Sequence, residues 1–224
     1  MSTVVLLSGG LDSAVLTAHE AQVNRVLPVY VSVGLAWEDA EVAMLERLLT
    51  CPPYKNVDPL ARVSFTMRDV YSPSHWAIRG VPPAYDTPDD DVYLAGRNLV
   101  LLTKAGVIAA KTKSRRIALG PLAGNPFPDA RPEFFGAMAK AISLGLNHPV
   151  EIATPFLTMG KEDVIKRGVD LGVPFELTLS CMNPHIADGL PQHCGLCSKC
   201  RERRDAFAAA GVSDPSTYAN RSPR

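Results

Sequence analysis

The sequence has no surplus charge of either sign: 23 lysines and arginines stand against 23 aspartates and glutamates, for a formal net charge of zero. Such a balance supplies no general attraction to nucleic acid or to an acidic membrane surface. No apolar stretch approaches the length needed to span a bilayer. Met1-Ser2-Thr3 shows no basic region leading into an apolar one, which predicts no signal peptide and a cytoplasmic protein. Internal repeats and low-complexity tracts are lacking. Cysteine is scarce outside one cluster: of five, only Cys51 lies apart from Cys181, Cys194, Cys197 and Cys200. In a reducing compartment that grouping points to metal binding rather than to disulfides.

What is present suits a globular chain. Its 224 residues are 46% hydrophobic and 21% charged, enough for one large domain with a substantial core. Short apolar runs at 3–7, 26–33, 61–66, 115–119 and 150–153 alternate with helical patterns at 13–22, 38–49, 98–112, 132–146, 159–171 and 198–210. That alternation predicts βαβ units in an α/β fold, a doubly wound parallel sheet with a ligand at the carboxyl edge of its strands. Residues 98–112 are apolar nearly all round, so that helix is expected to pack deep against the sheet. Gly211 is placed to end the last helix. The proline-rich stretches 71–91 and 120–132 read as long irregular loops, and 213–224 as a frayed tail.

One loop carries most of the chemistry. Val4-Val5-Leu6-Leu7 is followed at once by Ser8-Gly9-Gly10-Leu11-Asp12-Ser13 and then by a helical stretch. Glycine lets a ligand approach the backbone, and the helix start offers unpaired N–H donors at the positive end of its dipole. With two serine hydroxyls, the ensemble suits a phosphate or pyrophosphate. Asp12 is placed either to cap the helix or to hold a magnesium ion beside the phosphates. The spacing is not that of a Walker loop. The segment resembles the PP-loop of the ATP pyrophosphatases, SGGxDS, enzymes that split ATP between its α and β phosphates and adenylate a substrate oxygen.

Cys194, Cys197 and Cys200 are each separated by two residues, with Cys181 upstream. Four thiolates in two short loops can close a tetrahedron around a structural zinc ion with no open position. A ferredoxin-type run would want its next cysteine where Arg203 and Arg204 stand. His193 is an alternative ligand. Cys51 has no partner in sequence and reads as a small buried residue.

Together the two ends narrow the resemblance. The loop at 8–13, Gly96-Arg97-Asn98, Pro128-Asp129-Ala130-Arg131-Pro132-Glu133-Phe134, Thr154-Pro155-Phe156 with Lys161, and Ser180-Cys181 with the three later cysteines resemble the 7-cyano-7-deazaguanine synthase family. The resemblance covers nearly the whole chain. It implies a PP-loop ATP-binding domain at 1–178, a zinc-binding loop and C-terminal helix packed on it at 179–214, and a tail at 215–224. It implies a carbon–nitrogen ligase of the queuosine-type deazapurine pathway, which converts 7-carboxy-7-deazaguanine to the nitrile with ATP, Mg2+ and ammonia. A homodimer is implied as well, with no membrane or nucleic-acid partner.

On that resemblance ATP falls to Leu7, Ser8, Gly9, Gly10, Leu11, Asp12, Ser13, Ala14, Val15, Leu16 and Thr17. Catalysis falls to Asp12, Ser13, Arg97 and Lys161, the acid substrate to Arg97, Asn98, Asp129 and Arg131, and zinc to Cys181, Cys194, Cys197 and Cys200. Lys161 sits in a first helical turn, where the dipole disfavours a cation and favours an anionic partner for it. Four stretches depart from the family pattern: 34–38, 120–126, Ala130 in place of a cysteine, and Met182 in place of a tyrosine. They keep open a second reading, a PP-loop amidating or thiolating enzyme with another carboxylic acid or nucleobase as substrate. A thiolating enzyme needs a reactive cysteine, and Cys51 is the one outside the cluster.

Overall fold

The computed structural model describes residues 2–221, so Met1 and the last three residues of the expected tail lie outside the described residues. Five parallel strands form one sheet in the order β3-β2-β1-β4-β5: β1 (Ser2–Leu6), β2 (Arg25–Ser32), β3 (Ala61–Ser64), β4 (Arg116–Ala118) and β5 (Glu151–Ala153). Among the described residues seven α-helices connect and flank them: α1 (Leu11–Glu20), α2 (Glu38–Leu48), α3 (Trp76–Arg79), α4 (Arg97–Thr112), α5 (Pro132–Leu146), α6 (Lys161–Asp170) and α7 (Ser198–Ala210). The expected doubly wound α/β sheet is therefore present.

β1 is apolar because both of its faces are covered, as parallel central strands require. On one side α1, α6 and α7 bury Leu11, Val15, Ile165 and Phe207. On the other α4 and α5 bury Leu102, Ala105 and Ile142. β2 tolerates Pro28 because pairing with β3 begins only at Val29, so the missing N–H withholds nothing from the ladder. The chain crosses back between β3 and β4, which makes the gap between β1 and β4 the place where strand order reverses. Ligands of such sheets bind outside the carboxyl ends at that point.

The expected elements hold to within a few residues, and three expectations need correction. Residues 71–91 and 120–132 are not wholly irregular: they contain α3 and short 3-10 turns at Asp89–Val92 and Pro128–Ala130. An unexpected hairpin, β6 (His185–Ala187) with β7 (Leu190–Gln192), turns through Asp188 and Gly189, both with positive φ. The supposed frayed tail is tied down through Asn220. His193 donates its N–H to the Thr217 carbonyl and accepts one from Ala219, while the Asn220 amide donates to the Cys194 carbonyl at 2.9 Å. Gly211 ends α7 in the left-handed conformation, as expected. Among the described residues no helix is long and apolar enough to cross a membrane.

Candidate active site

A cavity of about 470 Å³ opens at the carboxyl ends of the strands, within the usual range for a small-molecule site. Its phosphate-like end is the β1–α1 corner. Gly9 has φ +83° there, and a Cβ on it would stand 3.1 Å from Leu45 Cγ and 3.3 Å from the Glu41 carbonyl. Gly10 precedes α1 in an extended conformation, and no described side chain caps the helix, so its first N–H groups face the cavity unclaimed. Ser13 Oγ donates to the Gly10 carbonyl at 3.0 Å and lies 3.3 Å from Ser8 Oγ, which fixes both hydroxyls at the rim. α4 and α6 also start from glycines, Gly96 and Gly160, with no capping side chain, and both starts reach the same cavity through Arg97 and Lys161.

Asp12 does not cap the helix. Its carboxylate instead faces Lys161 Nζ at 3.3 Å, and its second oxygen, Oδ1, is buried with no hydrogen-bond partner among the described residues. Lys161 also pairs with Glu202 of α7, which reaches Lys199 at 2.6 Å. Burial pushes the Lys161 ammonium down, but Asp12 and Glu202 outweigh it and raise it overall. Burial likewise pushes Glu202 up, and the two lysines reverse that and hold it at about 2. Burial raises Asp12, and Lys161 offsets this only in part. Lys161 thus has the anionic partners its position in the first turn called for.

The rest of the cavity wall is aromatic and polar. Trp37 stacks on Trp76 with ring centroids 5.9 Å apart, and Tyr93 stacks on Phe127 at 4.9 Å. Arg97 has a buried Nε without a partner among the described residues. Asn98 donates its backbone N–H to Asp129 Oδ2 at 3.3 Å and its amide to the Asp129 carbonyl at 2.9 Å, docking the 128–130 turn on the start of α4. Asp129 Oδ1 is buried and unpartnered, and burial raises its carboxyl. Glu41, on the same wall, accepts from the Tyr30 hydroxyl at 2.7 Å; burial lifts it to about 7 although Arg97 and Tyr30 pull it down.

The structure therefore brings Leu7, Ser8, Gly10, Leu11, Asp12, Ser13, Arg97, Asn98, Asp129 and Lys161 around one cavity. Ala14, Val15, Leu16 and Thr17 lie in the core beneath the loop. Arg131 is exposed at the start of α5 and does not line the cavity. Cys51 is also remote from it; its thiol donates to the Arg47 carbonyl at 3.8 Å.

Sequence reasoning missed Glu41, Lys199, Glu202 and the aromatic wall. Glu41 had a readable signal: it interrupts the apolar stripe Trp37, Met44, Leu45 and Leu48 at helical spacing. Lys199 and Glu202 had none beyond their nearness to cysteines.

All four clustered cysteines are buried, and their Sγ atoms lie within 4.8 Å of one another. Sγ separations of 3.5 Å for Cys197–Cys200 and 3.8 Å for Cys194–Cys200 approach the edge of a tetrahedron with ~2.3 Å metal–sulfur bonds. Backbone N–H groups of Cys194, Asn183 and Leu196 point at these sulfurs, as suits thiolates. The set can hold a metal ion. His193 is not needed as a ligand: its Nε2 accepts the Ser180 N–H at 3.1 Å. Arg203, 1% exposed, locks the cluster to the cavity. Its guanidinium donates to Thr178 Oγ1 at 2.8 Å, to the Phe175 carbonyl at 3.0 Å and to Asp214 at 3.2 Å. Leu179 in turn donates its N–H to the Gly9 carbonyl at 2.8 Å.

Comparison with known proteins adds the following. The family described as queuosine biosynthesis protein QueC matches residues 2–211. A Caldicellulosiruptor bescii protein named 7-cyano-7-deazaguanine synthase is 34% identical over 224 residues, covering 97% of each chain. One of the same name from Azoarcus sp. is 34% identical over 231 residues, covering 96% of each chain. Another, from Thermoplasma volcanium, is 31% identical over 225 residues, covering 96% of this chain and 90% of that one.

Proposed function

This chain belongs to the queuosine biosynthesis protein QueC family, and on that premise we propose that it is a 7-cyano-7-deazaguanine synthase, a ligase using ATP and ammonia. The observation that carries the reading is the family match from residue 2 to 211, which spans both the phosphate loop and the cysteine cluster. The carboxylate of 7-carboxy-7-deazaguanine attacks the α-phosphorus of ATP and pyrophosphate leaves. Ammonia then attacks the acyl carbon, AMP leaves and a proton is lost, giving the amide. A second adenylation, on the amide oxygen, releases pyrophosphate and one amide proton, and loss of AMP with the remaining N–H proton gives the nitrile. A carboxylate is a poor electrophile and AMP a far better leaving group than hydroxide, so the protein's work is positioning and charge stabilisation.

In this reading Ser8, Gly9, Gly10, Ser13 and the start of α1 hold the phosphates. Asp12, with its orphaned buried oxygen, carries Mg2+ beside them. Lys161 is a point charge and Arg97 a planar fork on the phosphates as charge develops at the α-phosphorus. Asn98 and Asp129, next to the stacked aromatic pairs, face the planar acid, and Asp129 Oδ1 is a ready acceptor for a ring N–H. Arg131 is left out of the substrate site on account of its exposure. The cysteine tetrad holds zinc, which supplies structure and takes no part in the reaction. The protein acts in the cytoplasm as a homodimer, as the family resemblance implies.

Acid-dependent release of AMP and pyrophosphate, read by chromatography, tests the activation chemistry. ADP and phosphate as products would sink it.

A further inference from the structure

The last helix starts inside the cysteine cluster and reaches the phosphate end of the cavity within its first turn. Cys197 is the residue that opens α7, Cys200 lies in its first turn, and Lys199 and Glu202 line the cavity. Glu202 accepts from Lys161 on one side and from Lys199, at 2.6 Å, on the other. Two ammonium groups on different helices would repel one another at this range, and a carboxylate shared between them holds both.

Resting on the ATP reading above, we propose that Lys161 and Lys199 form a two-ammonium clamp for the polyphosphate of ATP and for released pyrophosphate. Glu202 is the positioning residue that sets the spacing of the clamp. The clamp belongs in part to the cysteine module, whose ligands fix where α7 begins. Arg203 keeps α7 from sliding, because its guanidinium is fastened to Thr178 and Phe175 in the segment whose Leu179 touches Gly9. The cysteine module therefore meets the phosphate loop directly through Leu179 and indirectly through Glu202, whose partner Lys161 also faces Asp12. Loss of the Glu202 charge would leave Lys161 to Asp12 and remove the carboxylate it shares with Lys199, so the spacing of the two ammonium groups is no longer set and polyphosphate binding weakens.

The test is calorimetric titration of the metal-loaded full chain and its Glu202→Gln and Lys199→Gln variants with MgATP, with pyrophosphate and with AMP. Metal content is measured on the same samples. The clamp predicts about tenfold weaker MgATP and pyrophosphate binding in both variants, with AMP affinity and metal content unchanged. Unchanged or tighter MgATP binding by Glu202→Gln would overturn the proposal, since Glu202 would then only compete with phosphate for Lys161. A parallel loss of AMP affinity would overturn it too, by showing a general structural effect. If Glu202→Gln loses its metal, Lys199→Gln decides alone, and normal affinity there counts against the clamp. A wild-type chain that binds neither MgATP nor pyrophosphate refutes the ATP reading itself, and the clamp with it.

Discussion

Glu41 is a carboxylate on the apolar face of α2, where burial lifts its pKa from 4.5 to about 7. The folded state therefore binds a proton that the unfolded chain releases between those values, and stability falls as pH rises through that window. The cost is absent below about pH 4.5 and fully present above pH 7, on the order of 3 kcal/mol. Glu41→Gln should accordingly raise the melting temperature at pH 8 and leave it nearly unchanged at pH 4.5, as scanning calorimetry can read. Gly9 sits at φ +83° against Leu45 and the Glu41 carbonyl. Gly9→Ala should cost about 1–2 kcal/mol for the backbone conformation alone and should weaken MgATP binding as the loop shifts. Cys51 lies away from the cavity, so Cys51→Ala should keep full turnover; a dead Cys51→Ala enzyme that is still folded would revive the thiolating reading.

At the scale of elements, most of the fold was legible because apolar runs and helical periodicity report burial directly. β1 through β5 and α1, α2 and α4–α7 fall where the pattern put them. The glycines before α1 were equally readable, since a strand followed by Gly-Gly and a helical pattern marks a phosphate corner, whereas Gly96 before α4 follows no strand and was legible only through the family resemblance. What stayed hidden depends on contacts distant in sequence. The 214–220 segment looks like a tail by composition, yet it is held by His193, Cys194 and Arg203. Lys199 and Glu202 gain meaning only when α7 lies against α6. The β6–β7 hairpin had a local signal in Asp188-Gly189, overlooked beside the cysteines. Because Arg203 spans α7, the 175–180 segment and Asp214, Arg203→Met should destabilise the chain by about 3 kcal/mol in denaturant unfolding. Stability within error of wild type would show that the Arg203 contacts do not hold the cysteine module in place.

For the molecule as a whole, the sheet, the glycine-led helix starts and the cysteine module converge on one cavity lined by both charged groups and stacked aromatic rings. Charged groups and stacking surfaces in one cavity suit a nucleotide and a planar acid held together. The family membership and this geometry make one central claim: the chain turns a deazaguanine carboxylate into a nitrile at the expense of ATP. The most direct measurement is mass spectrometry of the products from 7-carboxy-7-deazaguanine, MgATP and 15N-ammonium. The account predicts a 15N-labelled 7-cyano-7-deazaguanine together with AMP and pyrophosphate. Recovery of unchanged acid from an enzyme that binds MgATP, or a thioacid in place of the nitrile, would contradict it.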